Sequence, residues 1–349
     1  MTDDLLIRMR DVRKNYAAKS GTVHALDGLN LEVAEGTVRG LLGPNGAGKT
    51  TTVKVLTTLT RPTSGEVTID GLDVVRHGHE VRNRIGVSGQ NATIDEELTA
   101  RENLMLVGRL FHLGDKGAKK RADELLEIFN LEHAANRPIK GFSGGMRRRA
   151  DLAASLVNDP KILFLDEPTT GLDPAARLSL WEVIKQRVRS GTTLLLTTQY
   201  LEEADYLADQ ISVIDQGKVI AEGTADELKS NVGGQRISVV PVNQADHAAV
   251  QSLLDAVAAN RGSVTIDGNE LSVSVHDGPA ALEQVVTKLR AQGIAVHDVG
   301  MSRPSLDEVF LNLTGQSVTG ETRTERTGTG ADSPASSSTQ ESAQRGGTN

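Results

Sequence analysis

The sequence predicts an α/β protein built on a substantially parallel sheet, followed by a small α+β unit of ferredoxin-like order and a polar tail. Three observations carry this reading. First, over residues 1–230 short apolar runs alternate with helical patterns, the texture of strands and helices packed in layers. Second, the texture changes near Val232, after which strand-like and helix-like stretches follow in the order β-α-β-β-α-β. Third, from Gln316 the chain is rich in Ser, Thr and Gly with almost nothing to bury, a composition that cannot offset the entropy of ordering.

In the first part, VRGLLG (38–43), VTID (67–70), KILFLD (161–166), TTLLLTT (192–198) and ISVID (211–215) read as strands. Stretches near 49–58, 121–130, 145–157 and 177–190 read as helices. In the second part, RISVVPV, SVTID, LSVSV and IAVHDVG read as strands, with Gly268-Asn269 joining the middle pair. HAAVQSLLDAVAAN and PAALEQVVTKLRAQ read as the intervening helices, and SLDEVFLNLT as one closing helix. The expected domains are therefore 1–230, 232–315 and a disordered tail over 316–349.

The totals limit the functions. A formal net charge of −8 argues against a broad nucleic-acid footprint. With no cysteine there is no disulfide framework and no thiolate metal site. The 8 histidines show no ligand spacing, so no structural metal is expected. MTDDLLIRMRDV has no long apolar core, and no stretch approaches the ~18 apolar residues of a span. No signal peptide is expected, and work at a membrane requires another chain to cross it.

GPNGAGKT satisfies G-x-x-x-x-G-K-[ST], between a strand-like run and a helix-like run. Gly43, Pro44, Asn45, Gly46, Ala47 and Gly48 form a loop whose backbone N–H groups can converge on phosphate, with the positive end of a helix behind them. Lys49 is placed to neutralise β/γ-phosphate charge, Thr50 to hold Mg²⁺ and Thr51 to bond a phosphate oxygen. KILFLDEP ends an apolar strand in two carboxylates. Asp166 suits Mg²⁺ held through water, and Glu167 suits polarisation of an attacking water. FSGGMRRRADLAASL places Ser143, Gly144 and Gly145 ahead of a helix, a second anion site. One small domain cannot easily bring it to the first phosphate, whereas a second copy can. Arg147-Arg148-Arg149 reads as a solvated helix face.

At this point residues 5–230 resemble the nucleotide-binding subunits of ATP-binding cassette (ABC) transporters. FSGGM is similar to the signature loop, usually LSGGQ, departing at Phe142 and Met146 and keeping the Ser-Gly-Gly core. The resemblance implies a P-loop NTPase fold with a helical subdomain, with ATP and Mg²⁺ as its ligands. It also places Tyr16 against adenine, Gln90 in the loop that reaches Mg²⁺ and the membrane subunit, and Asp173 of GLDP in the loop crossing the dimer. Gln199, on its own a loop glutamine at a strand end, occupies the position where most of the family has a γ-phosphate histidine. A carboxamide can donate and accept hydrogen bonds there but cannot carry a proton. TTQYLEEAD, SGGMRRRAD and RPSLDEVFLNLTG look closest to the drug-resistance ATPase subunits of actinobacteria.

What the resemblance implies is an ATPase at the cytoplasmic face of the cell membrane. As a homodimer it drives a separate ABC-2-type integral membrane permease that exports a hydrophobic or amphiphilic drug or lipid. The alternative is a soluble ABC-type ATPase not coupled to transport; the missing second cassette, the missing coiled-coil insertion and the acidic balance argue against it.

Overall fold

The computed structural model describes residues 5–19, 21–89, 93–232, 235–259, 264–302 and 305–314. Gln90 and the tail from 316, both subjects of expectations above, lie outside these residues.

The chain opens with β1 (Leu5–Ala18), β2 (Gly21–Ala34), β3 (Val38–Leu42), α1 (Lys49–Leu56), β4 (Ser64–Ile69), β5 (Leu72–Asp73), α2 (Gly78–Arg82) and β6 (Ile85–Ser88). A helical stretch follows, with α3 (Ala100–Leu110), α4 (Gly114–Ile128) and α5 (Gly144–Ser155). Alternation resumes through β7 (Ile162–Asp166), α6 (Pro174–Arg189), β8 (Thr193–Thr198), α7 (Leu201–Leu207), β9 (Gln210–Asp215), β10 (Lys218–Gly223) and α8 (Ala225–Val232). The chain then forms β11 (Arg236–Pro241), α9 (His247–Asp255), β12 (Thr265–Asp267), β13 (Glu270–Ser274), α10 (Gly278–Ala291), β14 (Val296–Ser302) and α11 (Leu306–Thr314).

The central sheet has the order β10-β9-β3-β8-β7-β6. It is parallel from β9 to β6, with β10 as an antiparallel edge. β7 and β8 are buried along their whole length, which is why they read as unbroken apolar runs. Their alternate residues serve two cores. Leu163, Leu165, Leu194 and Leu196 pack against the layer of α3–α6, which includes the helical subdomain. Ile162, Phe164 and Leu195 face α1 and a second, antiparallel sheet of order β2-β1-β4-β5. Of that second sheet only β4 is among the expected strands, as VTID; β1, β2 and β5 are not. Register shifts along β1–β2 break the period-two pattern by which a half-buried strand is read.

The third sheet is antiparallel, of order β12-β13-β11-β14. α9 and α10 cover one face through Val250, Leu254, Val285 and Leu289. The element order is the one expected, and Gly268 makes the tight β12–β13 turn at φ +58°. α11 packs elsewhere. Sequence order groups it with 232–315, yet Leu306, Val309 and Phe310 are buried against Leu42, Leu201, Ala204, Ile211, Val213 and Leu228 of the first part. The last helix thus completes a core beside the strand ends of the central sheet.

Candidate active site

The site begins where β3, β7 and β8 stop. Register pairs Leu42 with Thr198 and Asp166 with Thr197, so the next residues along, Gly43, Glu167 and Gln199, emerge side by side. Carboxyl ends of parallel strands are where open α/β sheets place their ligands.

After β3 the chain turns through Gly43–Gly48 into α1. A Cβ on Gly43 would lie 2.3 Å from the Ile214 carbonyl oxygen, so only glycine fits there. Gly48 sits at φ +111°, and its Cβ would lie 2.7 Å from the Ala25 carbonyl. The loop folds tightly enough to deliver Lys49 into the interior. Its ammonium donates to Gly43 O at 2.7 Å and Pro44 O at 3.2 Å, and stands 3.6 Å from Glu167 Oε1. Burial pushes the Lys49 pKa down, while Glu167 and then Asp166 oppose that shift. No acidic residue occupies the first turn of α1, so the positive end of that helix is uncompensated.

The two carboxylates at the end of β7 have separate surroundings. Asp166 Oδ1 accepts from Thr197 Oγ1 and, at 3.4 Å, from Thr50 Oγ1. Its Oδ2 accepts no hydrogen bond among the described residues. Glu167 turns away at φ +51°, a left-handed conformation costing about 1–2 kcal/mol for a residue with a Cβ. Its N–H is held by Thr197 O at 3.0 Å and Thr197 Oγ1 at 3.2 Å, and Thr170 Oγ1 donates to its Oε2 at 3.4 Å. That strain aims the Glu167 carboxylate into two cavities at once. One, of about 270 Å³, is lined by Val23, His24, Pro44, Gly46, Lys49, Thr50 and Thr51. The other, of about 280 Å³, is lined by Gly144, Arg147, Arg148, Thr170 and Gly171.

The remaining residues singled out in the sequence fall around these cavities. Tyr16 pairs across the hairpin with Val23, and Lys14 Nζ lies 4.9 Å from its ring centre. Val23 and His24 line the first cavity and were missed; their strand alternation was the signal hidden by the register shifts. Ser143 and Gly144 are exposed, with Ser143 Oγ capping α5 by accepting from Met146 N at 3.3 Å. A Cβ on Gly144 would meet nothing, so this face is open to a partner group. Asp173 is exposed and caps α6, accepting from Ala176 N at 2.9 Å. Gln199 is half-buried, and its side chain makes no hydrogen bond among the described residues.

Charged groups on α5 and α7 are also part of this framework. Arg148 is not on a solvated face: its guanidinium bonds the carbonyls of Gly89, Asp166, Glu167 and Pro168. Arg149 is partly buried and bonds Phe129 O at 3.2 Å. The run sits on a helix lying over strand ends, so part of it turns inward. Glu203 on α7 is fully buried and accepts from Trp181 Nε1 at 3.0 Å. Burial pushes its carboxyl above the usual range, against the pull of its hydrogen bonds.

A magnesium ion suits this donor set. A hydroxyl, Thr50 Oγ1, stands beside a carboxylate with one oxygen unclaimed, the hard oxygen ligands that Mg²⁺ prefers alongside phosphate and water.

Two family models match the chain. One, "ABC transporter", covers residues 26–170. The other, "ATP-binding protein DrrA1-3-like, C-terminal domain", covers residues 223–314. Daunorubicin resistance ATP-binding protein DrrA3 of Streptomyces coeruleorubidus is 54% identical, over 89% of this chain and 96% of that one. Doxorubicin resistance ATP-binding protein DrrA of Mycobacterium tuberculosis is 45% identical, over 89% of this chain and 94% of that one. Among solved structures, an ATP-binding cassette crystallised as a dimer in a post-hydrolysis state with ADP and Pi superposes with a TM-score of 0.58 at 29% identity, over 62% of this chain and 98% of that one. With a buried lysine, two carboxylates and a glycine-framed loop at the carboxyl ends of its parallel strands, this chain, which matches such relatives almost throughout, belongs to the ABC transporter ATP-binding subunits and is an ATPase.

Proposed function

We propose that this chain powers an exporter, hydrolysing MgATP as a head-to-tail homodimer on the cytoplasmic face of the membrane beside a separate ABC-2-type permease. The observation that carries the reading is the convergence of Lys49, Asp166 and Glu167 at adjoining strand ends, with Ser143 and Gly144 exposed and Gly144 lining the other cavity that Glu167 lines.

In this reading ATP lies in the first cavity, its base toward Tyr16, Val23 and His24. The backbone N–H groups of Gly46–Thr51 and the Lys49 ammonium hold the phosphates. Thr50 and Asp166 would hold a magnesium ion there, which would supply neutralisation of phosphate charge. Glu167 accepts a proton from water as the water oxygen bonds to the γ-phosphorus and the bridging oxygen leaves with ADP. Gln199, one residue past β8, donates its carboxamide N–H to the γ-phosphate. Ser143, Gly144 and Gly145 of the other copy close the site, and Asp173 lies in the loop facing that copy. Gln90 is assigned to the membrane-coupling loop by resemblance alone.

A partner at the membrane is supported by an apolar cavity of about 450 Å³, which Leu59, Val87, Val107 and Phe111 line beside Gly89 and Thr93. Leu106 and Leu110 extend it as exposed apolar surface. Among the described residues no helix is long and apolar enough to cross a membrane. The names of the relatives, which include linearmycin resistance and Nod factor export proteins, favour a hydrophobic or amphiphilic cargo.

Mixing two inactive variants tests the arrangement. Lys49→Ala spoils one half of a composite site and Ser143→Arg the other, so mixed dimers keep one intact site. We expect ATPase activity on mixing, absent from either variant alone, and stimulation by a co-reconstituted ABC-2-type permease. No activity on mixing, with both variants folded, contradicts the head-to-tail dimer. Full activity without any permease response favours an ATPase not coupled to transport.

A further inference from the structure

The helix that bears Ser143–Gly145 is bonded to the turn that bears Glu167 through Arg148, which is paired along the same helix with the buried Asp151. Arg148 lies one turn into α5. Its Nε donates to Pro168 O at 2.7 Å, and one terminal nitrogen donates to Gly89 O at 2.7 Å. The other terminal nitrogen reaches Glu167 O at 3.3 Å and Asp166 O at 3.4 Å. These are the carbonyls around the left-handed residue, Glu167 at φ +51°. Asp151, one turn further along α5, is buried and stands 3.6 Å from the guanidinium. Its Oδ2 accepts from Ser88 Oγ at 2.7 Å, and its Oδ1 from Thr93 N at 2.7 Å and Thr93 Oγ1 at 2.9 Å. Each charge therefore has a second task. Arg148 holds the carbonyls around Glu167, and Asp151 holds the residues on either side of 90–92.

A buried ion pair is a poor stability device, since apolar residues of similar volume serve as well or better. What a planar fork does, and an apolar side chain cannot, is fix carbonyl groups in direction. A strained backbone persists only where its surroundings over-determine it. We propose that Arg148 and Asp151 act as one positioning pair for hydrolysis. Arg148 holds the backbone that aims Glu167, and Asp151 orients Arg148 while tying it to Ser88 and Thr93. Neither residue lines the cavity assigned to ATP. The pair makes α5 and the Glu167 turn move as one body, so a displacement of the signature helix is felt at the carboxylate of the same chain. This rests on the assignment of Glu167 as the group that receives the proton from water.

The test is steady-state MgATP hydrolysis by the purified full-length chain. It compares Arg148→Lys, Asp151→Asn, the double variant Arg148→Lys/Asp151→Asn, and Glu167→Gln as reference, with melting followed in parallel. Lysine keeps the charge and loses the fork. We expect Arg148→Lys to stay folded at the assay temperature, keep its KM for ATP within about twofold, and lose on the order of tenfold to a hundredfold in kcat. Asp151→Asn should lose less, and the double variant should lose no more than the worse single change, the signature of residues acting as a unit. Wild-type kcat in folded Arg148→Lys overturns the proposal. So do single losses that multiply in the double variant, or losses that vanish once corrected for the fraction folded. If Glu167→Gln turns over normally, the assignment of Glu167 fails and takes the pair's role with it. If Glu167→Gln is inactive while Arg148→Lys is normal, the pair alone is overturned.

Discussion

The parallel sheet and the C-terminal sheet bury their side chains by the same packing rules but differ in what they bury. Among the described residues, the polar and charged groups that are buried run from Lys49 to Ser212, and all lie in the first part of the chain. The core of the C-terminal sheet is drawn from Ile237, Val239, Leu254, Leu271, Val285 and their apolar neighbours. Buried polar groups need partners, and buried charges need opposite charges or bound ions. A region that gathers Lys49, Asp166, Glu167, Thr197 and Thr198 at adjoining strand ends is built for chemistry; a region without them is built for packing or contact. α11 joins the two, because it follows the C-terminal sheet in sequence yet packs against Leu42 and Leu201, which precede the phosphate loop and begin the helix after Gln199.

The sharpest break in this comparison comes from Lys49→Ala. It removes the buried cation that faces Glu167 and is proposed to hold the phosphates, and hydrolysis should fall on the order of a hundredfold to a thousandfold. Nucleotide titration on the folded variant checks that the loss lies in phosphate binding.

A paired change comes next. Phe310→Ala and Leu254→Ala each empty a buried site, at about 3–5 and 2–5 kcal/mol. Phe310→Ala should lower the melting of the ATPase part and weaken hydrolysis, because its cavity opens beside Leu42 and Leu201. Leu254→Ala should cost similar stability while leaving hydrolysis per folded molecule unchanged. Equal effects on hydrolysis from both would erase the distinction between the two regions.

Gln199 gives a smaller, graded effect. A hydrogen bond to a charged group is worth roughly 1.5–3 kcal/mol, so Gln199→Ala should slow hydrolysis about tenfold to a hundredfold with ADP binding little changed. Gln199→His should retain most activity, and Gln199→Glu should be worst, because it sets a carboxylate against phosphate. Equal rates for wild type and Gln199→Ala would leave Gln199 as an ordinary loop residue.

The smallest effect is on stability. The Glu203 carboxyl is raised by burial above its ordinary 4.5. The folded state therefore keeps a proton that the unfolded chain releases, and stability is lost as pH climbs from 4.5 through the raised value. Glu203→Gln keeps an acceptor for Trp181 and carries no charge, so its melting temperature should gain on wild type as pH rises over that window. A constant difference between the two across pH would contradict the shift.

Much of this was legible in the sequence because it is local. GPNGAGKT is eight consecutive residues whose glycines, lysine and threonine serve one turn, and LDEP ends a strand whose apolar run is unmistakable. Less legible was whatever depends on distant parts of the chain. The β1–β2 hairpin hides behind its register shifts. Arg148 reads like any member of a charge run until α5 is laid across the ends of β6 and β7, and nothing in SLDEVFLNLT says which core its Phe310 will enter.

The central claim is that Glu167, aimed by a strained turn between two cavities, performs the hydrolytic step in a site that two copies close. Glu167→Gln tests it most directly, by sedimentation of the purified chain with ATP, with ADP and without nucleotide, alongside its hydrolysis rate. The account predicts a dimer with ATP alone and a rate lowered on the order of a hundredfold or more. A protein that hydrolyses ATP at the wild-type rate and stays monomeric in all three conditions would contradict it.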